Sequence, residues 1–467
     1  MKKIIYLALA LTAATFTACS DDNAGEQYLK QSTVGVVGSN LSFDAAAHRG
    51  GVKFTAPAGQ TATAIVNASW VKAEVKDDSV IVNLDNNPYL ESRSAMLTIK
   101  SGADSTNVPI AQQGCVFNYQ GATKFVVADK DTTLSLPFEL VGAEPQATVD
   151  AAAADYATIT KGDNAYKLDI KANKTGEMRQ FNVTIDNQNV ITTIVVKQGQ
   201  LSDFVGKVFY LMGYDLQKDP TAATLDELAV QYQGAIKKDA KGNVYFYCPK
   251  AYIAKLPLSF DQKTLTFTVT SGNMVNYIKE YGAYLMNSIW SYDLYGFLNE
   301  YTYEMYTKHK NGEISDKEYQ EFQASMPTVF AAFDYTNKMS MKGEMAVNAK
   351  YGYVLTSLKD GGTNDFMVQA MQKAFGYTGT AFNADMLCVD LLTPSADGKS
   401  LEFGQPVAQI YLPTLVHVPA KATAGAKALR SMLLTPNHVS AIPKANVMSR
   451  LWKTLRKHSG AKIAVRK

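Results

Sequence analysis

The sequence is poor in the residues that build metal sites and nucleophilic active sites, with five histidines and four cysteines among 467 residues. The histidines show no His-x-x-x-His or His-Glu-x-x-His spacing, so we predict no metal site. No Gly-x-Ser-x-Gly motif is present, and no cysteine lies in a recognisable catalytic pattern. The three cysteines outside the N-terminal segment allow one disulfide at most, which excludes a disulfide-based scaffold. They are Cys115, Cys248 and Cys388.

One short segment has only part of a phosphate-binding loop. Gly398-Lys399-Ser400 matches the end of such a loop, but Thr393 stands where the first glycine should be. The segment has the composition of a hairpin turn instead. We therefore predict no nucleotide site and no cofactor.

Charge is distributed unevenly along the chain. Of the 46 lysines and arginines, 11 lie in residues 421–467, where no acidic residue occurs. The rest of the chain therefore has 35 basic and 43 acidic residues. The formal charge of +3 therefore combines a body of −8 with a strongly basic tail. Phosphate binding requires a basic folded face, so this distribution argues against nucleic acid as the main partner.

The N-terminus has the pattern of an export signal. Met1-Lys2-Lys3 precedes an apolar run over residues 4–14, and small residues lead up to Cys19. The run is shorter than the roughly 20 residues that a lasting transmembrane helix needs. We predict a signal peptide over 1–18 and a linker over 19–33. An ordinary secretory signal, with the cysteine incidental, is the alternative.

Phe16-Thr17-Ala18-Cys19 resembles the lipobox of bacterial lipoproteins, in which the cysteine becomes the acylated first residue of the mature protein. The resemblance implies lipidation of Cys19, and several acyl chains such as palmitate on one cysteine hold a protein firmly to a membrane. Ser20-Asp21-Asp22 is similar to the acidic signal that sends Bacteroidetes lipoproteins to the cell surface. We expect a lipid-anchored outer-membrane protein that faces the cell surface, with a periplasmic orientation as the alternative.

Residues 34–199 consist of short alternating runs rich in Val, Ile, Thr and Phe, separated by Gly, Asn, Asp and Pro. This pattern predicts antiparallel β-sandwiches. The segment also repeats itself, which indicates a tandem duplication with one sandwich at 34–115 and a second at 116–200. The matching positions are Trp70 with Tyr156, Asn87 with Asn173, Arg93 with Arg179, Leu97-Thr98-Ile99 with Val183-Thr184-Ile185, and Gln113-Gly114 with Gln198-Gly199.

Three segments of the first copy, Ala68-Ser69-Trp70-Val71, 93–99 and 108–114, resemble the BACON domain, an immunoglobulin-like sandwich of Bacteroidetes. The second copy departs from the pattern because Tyr156 replaces the tryptophan. The family was named for proposed carbohydrate binding, yet many members look like spacers, so the resemblance implies either a sugar site or a stalk. Trp70 is a candidate ligand contact that could stack on a sugar, although a tryptophan before a strand is also a common core anchor.

After residue 200 the pattern changes to a mixture of strands and helices. Strands at both ends around a helical insertion indicate that residues 201–420 form one domain. The predicted fold class is therefore mostly β, with two immunoglobulin-like β-sandwiches followed by an α+β domain with a helical insertion. Predicted strands of this domain lie near 207–212, 230–236, 244–247, 264–269, 352–357, 386–391, 401–403 and 407–418.

The helical insertion is predicted to begin near Val275 and to continue to about His309. Ser315 and Glu318 form a capping box that would start a second helix. A further helix around 365–374 ends at Gly376, which suits the left-handed position beyond a helix.

On a helical wheel, seven tyrosines of the first predicted helix fall within about 100° of arc. A stripe of phenols can stack on sugar rings or form hydrogen bonds across a wet groove, although an aromatic stripe more often packs on its own sheet. The stripe loses its meaning if the helix breaks midway. The candidate ligand contacts in it are Tyr277, Tyr281, Tyr284, Tyr292 and Tyr295, and Tyr303 and Tyr306 complete the stripe.

Three carboxylates accompany these tyrosines: Asp293, Glu300 and Glu304. We predict that they form the solvated face of the helix. The alternative is that one pairs with a distant carboxylate in a sugar cleft, because a glycoside hydrolase needs only two such groups about 5–10 Å apart. We predict no catalytic residue and no enzyme activity.

Residues 421–467 form a basic tail with a predicted amphipathic helix. Its apolar stripe opposes a face of arginines and lysines. Such a helix can dock onto an anionic lipid surface or envelope protein, or it can be a solvated end. The apolar stripe consists of Val447, Met448, Leu451, Trp452 and Leu455.

These patterns together predict a non-catalytic cell-surface lipoprotein whose sandwich stalk presents a C-terminal binding domain for a glycan or glycoprotein. One alternative is a structural subunit of an envelope complex or fimbria, joined through exposed strand edges or the basic tail. The other alternative is a glycoside hydrolase-like enzyme.

Overall fold

The computed structural model describes residues 32–142, 144–187, 190–219, 222, 224–331, 338–362, 365–380, 383–398, 400–419 and 462–464. The predicted signal peptide, the lipidation site Cys19 and the predicted amphipathic helix of the tail lie outside these residues. The chain divides into two compact units. One contains the first sandwich, and the other contains the C-terminal domain with most of the second sandwich.

The first sandwich consists of eight strands in two sheets. They are β1 (Gly35–Asn40), β2 (Ser42–Phe43), β3 (His48–Thr55), β4 (Ala62–Val66), β5 (Val71–Lys76), β6 (Ser79–Leu84), β7 (Arg93–Ser101) and β8 (Asp104–Gln112). One sheet has the order β1-β3-β6-β5 and the other has the order β2-β8-β7-β4. Every pair is antiparallel except β2 with β8.

Alternation along the strands explains how this core forms. In β7, Ala95, Leu97 and Ile99 are buried, whereas the residues between them point outward. Val80 and Val82 of β6 belong to the same buried cluster from the other sheet. Full burial of each of the valine, leucine and isoleucine side chains stabilises the fold by roughly 1.5–3 kcal/mol.

The second sandwich repeats this strand order. Its strands are β9 (Val116–Tyr119), β10 (Lys124–Val127), β11 (Thr132–Val141), β12 (Gln146–Val149), β13 (Ala157–Lys161), β14 (Ala165–Ile170), β15 (Arg179–Asp186) and β16 (Ile191–Gln198). The sheets have the orders β9-β11-β14-β13 and β10-β16-β15-β12. Each strand therefore takes the place of the strand eight numbers before it, and β10 again pairs in parallel with the last strand.

The C-terminal domain is built on a long antiparallel sheet and a smaller one. Its strands are β17 (Val208–Asp215), β18 (Ala229–Lys238), β19 (Val244–Cys248), β20 (Ile253–Pro257), β21 (Ser259–Asp261), β22 (Thr266–Thr270), β23 (Met274–Ile278), β24 (Ala283–Trp290), β25 (Ser340–Glu344), β26 (Ala346–Val347), β27 (Val354–Ser357), β28 (Lys359–Asp360), β29 (Met386–Pro394), β30 (Ser400–His417) and β31 (Lys462–Ala464). The long sheet follows the path β20-β19-β18-β17-β30-β29-β24-β23, with β26, β27 and β31 off that path. The smaller sheet has the order β21-β22-β25-β28.

The long sheet curls until its two ends lie side by side. β20 and β23, the first and last strands of the path, lie next to each other, and Asn276 Nδ2 donates to the carbonyl of Tyr252 at 3.0 Å. We call this closed layer the barrel. Its interior is filled by buried side chains that include Phe209, Phe246 and Leu285.

Within its described residues the domain has three α-helices: α1 (Tyr292–Lys310), α2 (Asp316–Ala331) and α3 (Asp365–Phe375). α1 and α2 lie between β24 and β25 of the sheets, which confirms an α+β domain with a helical insertion. The prediction of a helix from Val275 is wrong, because β23 and β24 occupy residues 274–290 apart from a turn. The two strands predicted near 401–403 and 407–418 are the single strand β30.

The helix ends confirm the predicted local signals. Ser315 Oγ accepts from the backbone N–H of Glu318 at 3.2 Å, and Glu318 Oε2 accepts from the backbone N–H of Ser315 at 2.8 Å. This reciprocal pair is a capping box. Gly376 follows α3 with φ of 64° and donates to the carbonyl of Gln372 at 3.1 Å.

Polar contacts tie the second sandwich to the C-terminal domain. Lys197 Nζ of β16 donates to Glu344 Oε1 at 2.5 Å and to the carbonyl of Met345 at 2.6 Å. Lys207 Nζ donates to Glu177 Oε1 at 2.7 Å. Lys197 is almost fully buried, so removal of its partners would leave a buried charge unpaired.

Candidate functional site

Three of the candidate tyrosines lie together on the hairpin of β23 and β24. Tyr277 stands directly opposite Tyr284, with the ring centroids 4.7 Å apart. Tyr277 is 49% exposed, and Tyr281, in the turn between the strands, is 77% exposed. Because opposite residues of an antiparallel pair point to the same side of the sheet, the two paired rings form one aromatic platform.

The other two candidate tyrosines belong to the packed layer between α1 and the barrel. Tyr292 is 3% exposed, and its ring stacks on Tyr411 with centroids 4.3 Å apart. Its hydroxyl has no hydrogen-bond partner among the described residues. The hydroxyl of Tyr295 lies 3.5 Å from Gln409 Oε1. The predicted stripe is therefore divided into an exposed part and a packed part.

Neighbouring strands extend the exposed part around the barrel. Tyr245 and Tyr247 of β19 point outward, since Phe246 between them is buried in the core. Tyr252 is 46% exposed, and its carbonyl accepts the bond from Asn276 of β23. We call the resulting surface the tyrosine face: Tyr245, Tyr247, Tyr252, Tyr277, Tyr281 and Tyr284.

The sequence reasoning missed half of this face. The alternation of Tyr245, Phe246 and Tyr247 is a visible signal that two tyrosines share one side of a strand. Their proximity to Tyr277 depends on β20 lying beside β23, and no local pattern encodes that pairing. The face offers aromatic rings for stacking and hydroxyl groups for hydrogen bonds.

Trp70 in the first sandwich is half-buried and packs against the core. The guanidinium carbon of Arg93 lies 4.2 Å from the ring centroid, so one face of the indole is covered. Arg93 is held there because it donates to Gln112 Oε1 at 2.9 Å and to the carbonyls of Asp85 and Asn86 at 2.8 and 3.0 Å. Trp70 therefore packs against Arg93 at the start of β7, and it stays a candidate ligand contact.

The second sandwich contains the same arrangement. The guanidinium carbon of Arg179 lies 4.2 Å from the ring centroid of Tyr156, and Arg179 donates to the carbonyl of Ala172 at 3.1 Å. Each arginine is the first residue of its strand, β7 or β15. In both copies, therefore, the aromatic ring and the arginine pack together at the start of the strand.

An open groove of about 380 Å³ lies in the first sandwich. The residues that line it include the polar Lys53, Gln60 and Asp78 and the apolar Phe54 and Pro57. Lys53 Nζ lies 3.3 Å from Asp78 Oδ2, and both side chains are well exposed. This volume falls within the roughly 300–1,000 Å³ of small-ligand sites.

The carboxylates considered for a hydrolase are spread along α1. Asp293 and Glu300 are exposed, and Glu304 accepts an ion pair from Lys308 Nζ at 2.6 Å. Asp385 lies near the start of α1, where its Oδ1 accepts from the backbone N–H of Tyr292 at 2.7 Å. Asp385, directly before β29, therefore caps the start of α1, where the side chain of Ser291 makes no capping bond.

In the part of the chain that the structure describes, the cysteines are buried and the possible metal ligands are not clustered. Cys115, Cys248 and Cys388 are buried, and no two of them form a disulfide. Burial raises the pKa of Cys248 to about 11, which keeps its thiol protonated. Among the described residues, no group of three or more His, Cys, Asp or Glu side chains is placed to hold a metal ion. No described helix is long and apolar enough to cross a membrane.

Residues 60–113 match the BACON family model, whose description is "Putative binding domain, N-terminal". The match lies within the first sandwich and confirms the resemblance predicted for that copy. No curated protein matches the chain.

Solved structures show weak similarity to parts of the chain. An endo-fucoidan hydrolase of glycoside hydrolase family 107 has 14% identity over 36% of this chain and a TM-score of 0.24, and the chain spans 29% of that hydrolase. A chimeric titin Z1Z2 carrying a decorin peptide has 11% identity over 37% of this chain and 99% of its own, with a TM-score of 0.24. The titin I9–I11 tandem has 11% identity over 36% of this chain and 66% of its own, with a TM-score of 0.27. Similarity this weak says nothing about function.

Proposed function

We propose that this protein is a non-catalytic lipoprotein, anchored in the outer membrane through Cys19 and displayed at the cell surface. In this proposal the two sandwiches form a stalk, and the C-terminal domain binds a glycan or glycoprotein. The observation that carries the proposal is the tyrosine face, which lies on the outside of a barrel whose interior is filled. Three of its tyrosines are exposed and the other three are half-buried. A contiguous group of exposed aromatic side chains marks an interaction site.

Phenol rings suit a carbohydrate ligand for two reasons. A ring can stack on the apolar face of a sugar, and its hydroxyl can exchange hydrogen bonds with sugar hydroxyls. The platform of Tyr277 and Tyr284 is held in place by cross-strand pairing, so little side-chain freedom remains to be lost on binding.

We also propose that the second sandwich is a second BACON domain. The family model matches only the first copy. Three likenesses support the proposal: the shared strand order, the arginine on an aromatic ring, and buried Asn87 and Asn173 at equivalent positions. Two such modules in series would give a stalk of repeated units.

We expect the double variant Tyr277→Ala, Tyr281→Ala to bind its glycan at least about tenfold more weakly than the wild type, because exposed aromatic anchors commonly dominate binding. A glycan array with the mature chain would identify ligands, and calorimetry would then give the affinities. Tyr303→Ala is the matched control, since Tyr303 is 52% exposed on α1 and outside the tyrosine face. A wild type that binds no glycan, or a double variant that binds equally well, would contradict the proposal.

The anchor has its own test. Mass spectrometry of the protein from its native membrane should show a mature N-terminus at Cys19 whose mass includes acyl chains, and Cys19→Ser should release the protein into the soluble fraction. An unmodified thiol at that terminus, or a retained leader, would disprove the anchor.

A further inference from the structure

Two lysines lie against the rings of the tyrosine face. Lys237 Nζ is 3.9 Å from the ring centroid of Tyr247, and Lys255 Nζ is 5.2 Å from that of Tyr245. Such cation–π contacts hold an ammonium group beside an aromatic surface. The same strands therefore present positive charge and stacking rings together.

The two lysines differ in how far they are neutralised. Lys255 Nζ pairs with Asp239 Oδ2 at 2.7 Å. Among the described residues no carboxylate forms an ion pair with Lys237, whose ammonium group lies over the ring of Tyr247. An ammonium group has three N–H donors. A carboxylate accepts hydrogen bonds from them and neutralises the charge, whereas an aromatic ring does neither fully. Of the two lysines, Lys237 is therefore the one whose charge no carboxylate of the described residues neutralises.

The surroundings of the face are basic in a chain whose body is acidic. Residues 229–290 contain seven lysines and three acidic residues, a net charge of +4, whereas the chain outside the basic tail carries −8. Four of these lysines, Lys237, Lys250, Lys255 and Lys279, lie on or beside the strands and turns that carry the tyrosines. Local charge of this sign attracts anions and steers them to the face.

We propose that the tyrosine face binds glycans that carry carboxylate or sulfate groups, with Lys237 as the main contact for the anionic group and the tyrosine rings as the stacking surface. This inference rests on the proposed glycan-binding function and adds the chemical class of the ligand. A neutral glycan would leave the Lys237 ammonium without an anionic partner. An anionic group next to a sugar ring would satisfy it while the ring stacks on a neighbouring tyrosine.

The test uses three polymers with one backbone: dextran, carboxymethyl-dextran and dextran sulfate. The full mature chain and its Lys237→Gln and Lys373→Gln variants would be titrated with each polymer at low and high salt. Lys373 is exposed on α3, so it matches the charge change away from the face. The basic tail is present in every variant, so a difference between the two lysine variants reflects the lysine that was replaced.

We expect the charged dextrans to bind more tightly than dextran, and Lys237→Gln to weaken their binding roughly tenfold, while Lys373→Gln leaves it unchanged. Salt should weaken the binding of the charged polymers. Equal loss in both lysine variants, or none in either, would overturn the inference by placing the anion elsewhere on the chain.

Two further outcomes separate this inference from the proposed function. Equal binding of dextran and its charged forms would overturn the anionic class while leaving glycan binding intact. If no glycan on an array is bound, the proposed function fails and the inference fails with it. A single-stranded oligonucleotide that binds more tightly than dextran sulfate, with the same dependence on Lys237, would assign the face to nucleic acid and also overturn the inference.

Discussion

Replacement of Asn87 by alanine is expected to destabilise the first sandwich by about 3 kcal/mol. Asn87 is fully buried before β7, where its Nδ2 donates to the carbonyls of Glu91 and Gln113, each at 2.9 Å. Its Oδ1 accepts from the backbone N–H of Tyr89 at 3.2 Å. Alanine would leave three backbone groups without these partners, and each unsatisfied group costs about 1–3 kcal/mol.

Hydrogen–deuterium exchange would measure this effect within the first sandwich. Peptides covering β7 and β8 should exchange roughly 100-fold faster in Asn87→Ala, because their amides exchange when the sandwich opens. Asn107→Ala is the control, since Asn107 is exposed on β8, where its Oδ1 accepts from Thr98 Oγ1 at 2.8 Å. Similar protection in the two variants would show that the buried network does not hold the sandwich.

The repeat predicts the same result in the second sandwich. Asn173 is 6% exposed, and its Nδ2 donates to the carbonyl of Glu177 at 2.8 Å and to Asp129 Oδ1 at 3.2 Å. Its Oδ1 accepts from the backbone N–H of Thr175 at 3.2 Å. Asn173→Ala should therefore increase exchange in β15 and β16.

This pair of asparagines shows which parts of the fold the sequence can predict. Asn87 and Asn173 were matched by position alone, together with the arginines that enter β7 and β15. Each asparagine donates to the carbonyl four residues ahead and accepts from the amide two residues ahead, so this part of its role depends on local geometry. The capping box at Ser315 and the end of α3 at Gly376 were predictable for the same reason.

The wrong helix at Val275 has a different cause. Every residue of β24 is buried except Tyr284, which is half-buried. The strand is therefore covered on both sides. Burial on both faces removes the alternation that identifies a strand, and an apolar run then fits a helix equally well. Met286 packs with Leu392 on one side, while Leu285 lies in the barrel core on the other.

The tyrosine face forms only because strands that are distant in the sequence lie side by side in the fold. Tyr277 and Tyr284 meet because β23 and β24 form a hairpin, and Tyr245 joins them because the sheet closes between β20 and β23. Closure depends on the order of all eight strands along the path. Sequence periodicity indicates which way a side chain points within its strand, but not which strand will be its neighbour.

The second large effect is expected at Asp385. Burial raises the pKa of this carboxyl to about 7, and the nearby charge of Asp293 adds to the rise, although the hydrogen bond from Tyr292 N–H opposes it. In the unfolded chain the pKa would return to near 3.8. The folded state therefore binds the proton more tightly than the unfolded state between about pH 4 and pH 7.

The sign of the pH dependence follows from this difference. Stability that depends on Asp385 is fully present below about pH 4 and is lost as pH rises through about 7, where the folded protein must bury an ionised carboxylate. One pKa unit corresponds to about 1.4 kcal/mol, so the loss approaches about 4 kcal/mol at pH 8. Asp385→Asn removes the ionisation and keeps an oxygen that can accept from Tyr292.

We therefore expect Asp385→Asn to raise the Tm of the C-terminal domain by roughly 10 °C at pH 8 and to leave it nearly unchanged at pH 4. Scanning calorimetry at both pH values would measure the shift. Asp239→Asn should have the opposite sign, because hydrogen bonds from Lys255 and Asn243 hold the pKa of Asp239 well below its usual range. Its stabilising contribution is present at pH 8 and fades as pH falls below about 3.8. If Asp385→Asn instead lowers the Tm at pH 8, the carboxylate stabilises α1 as a charged cap, and the burial argument is wrong.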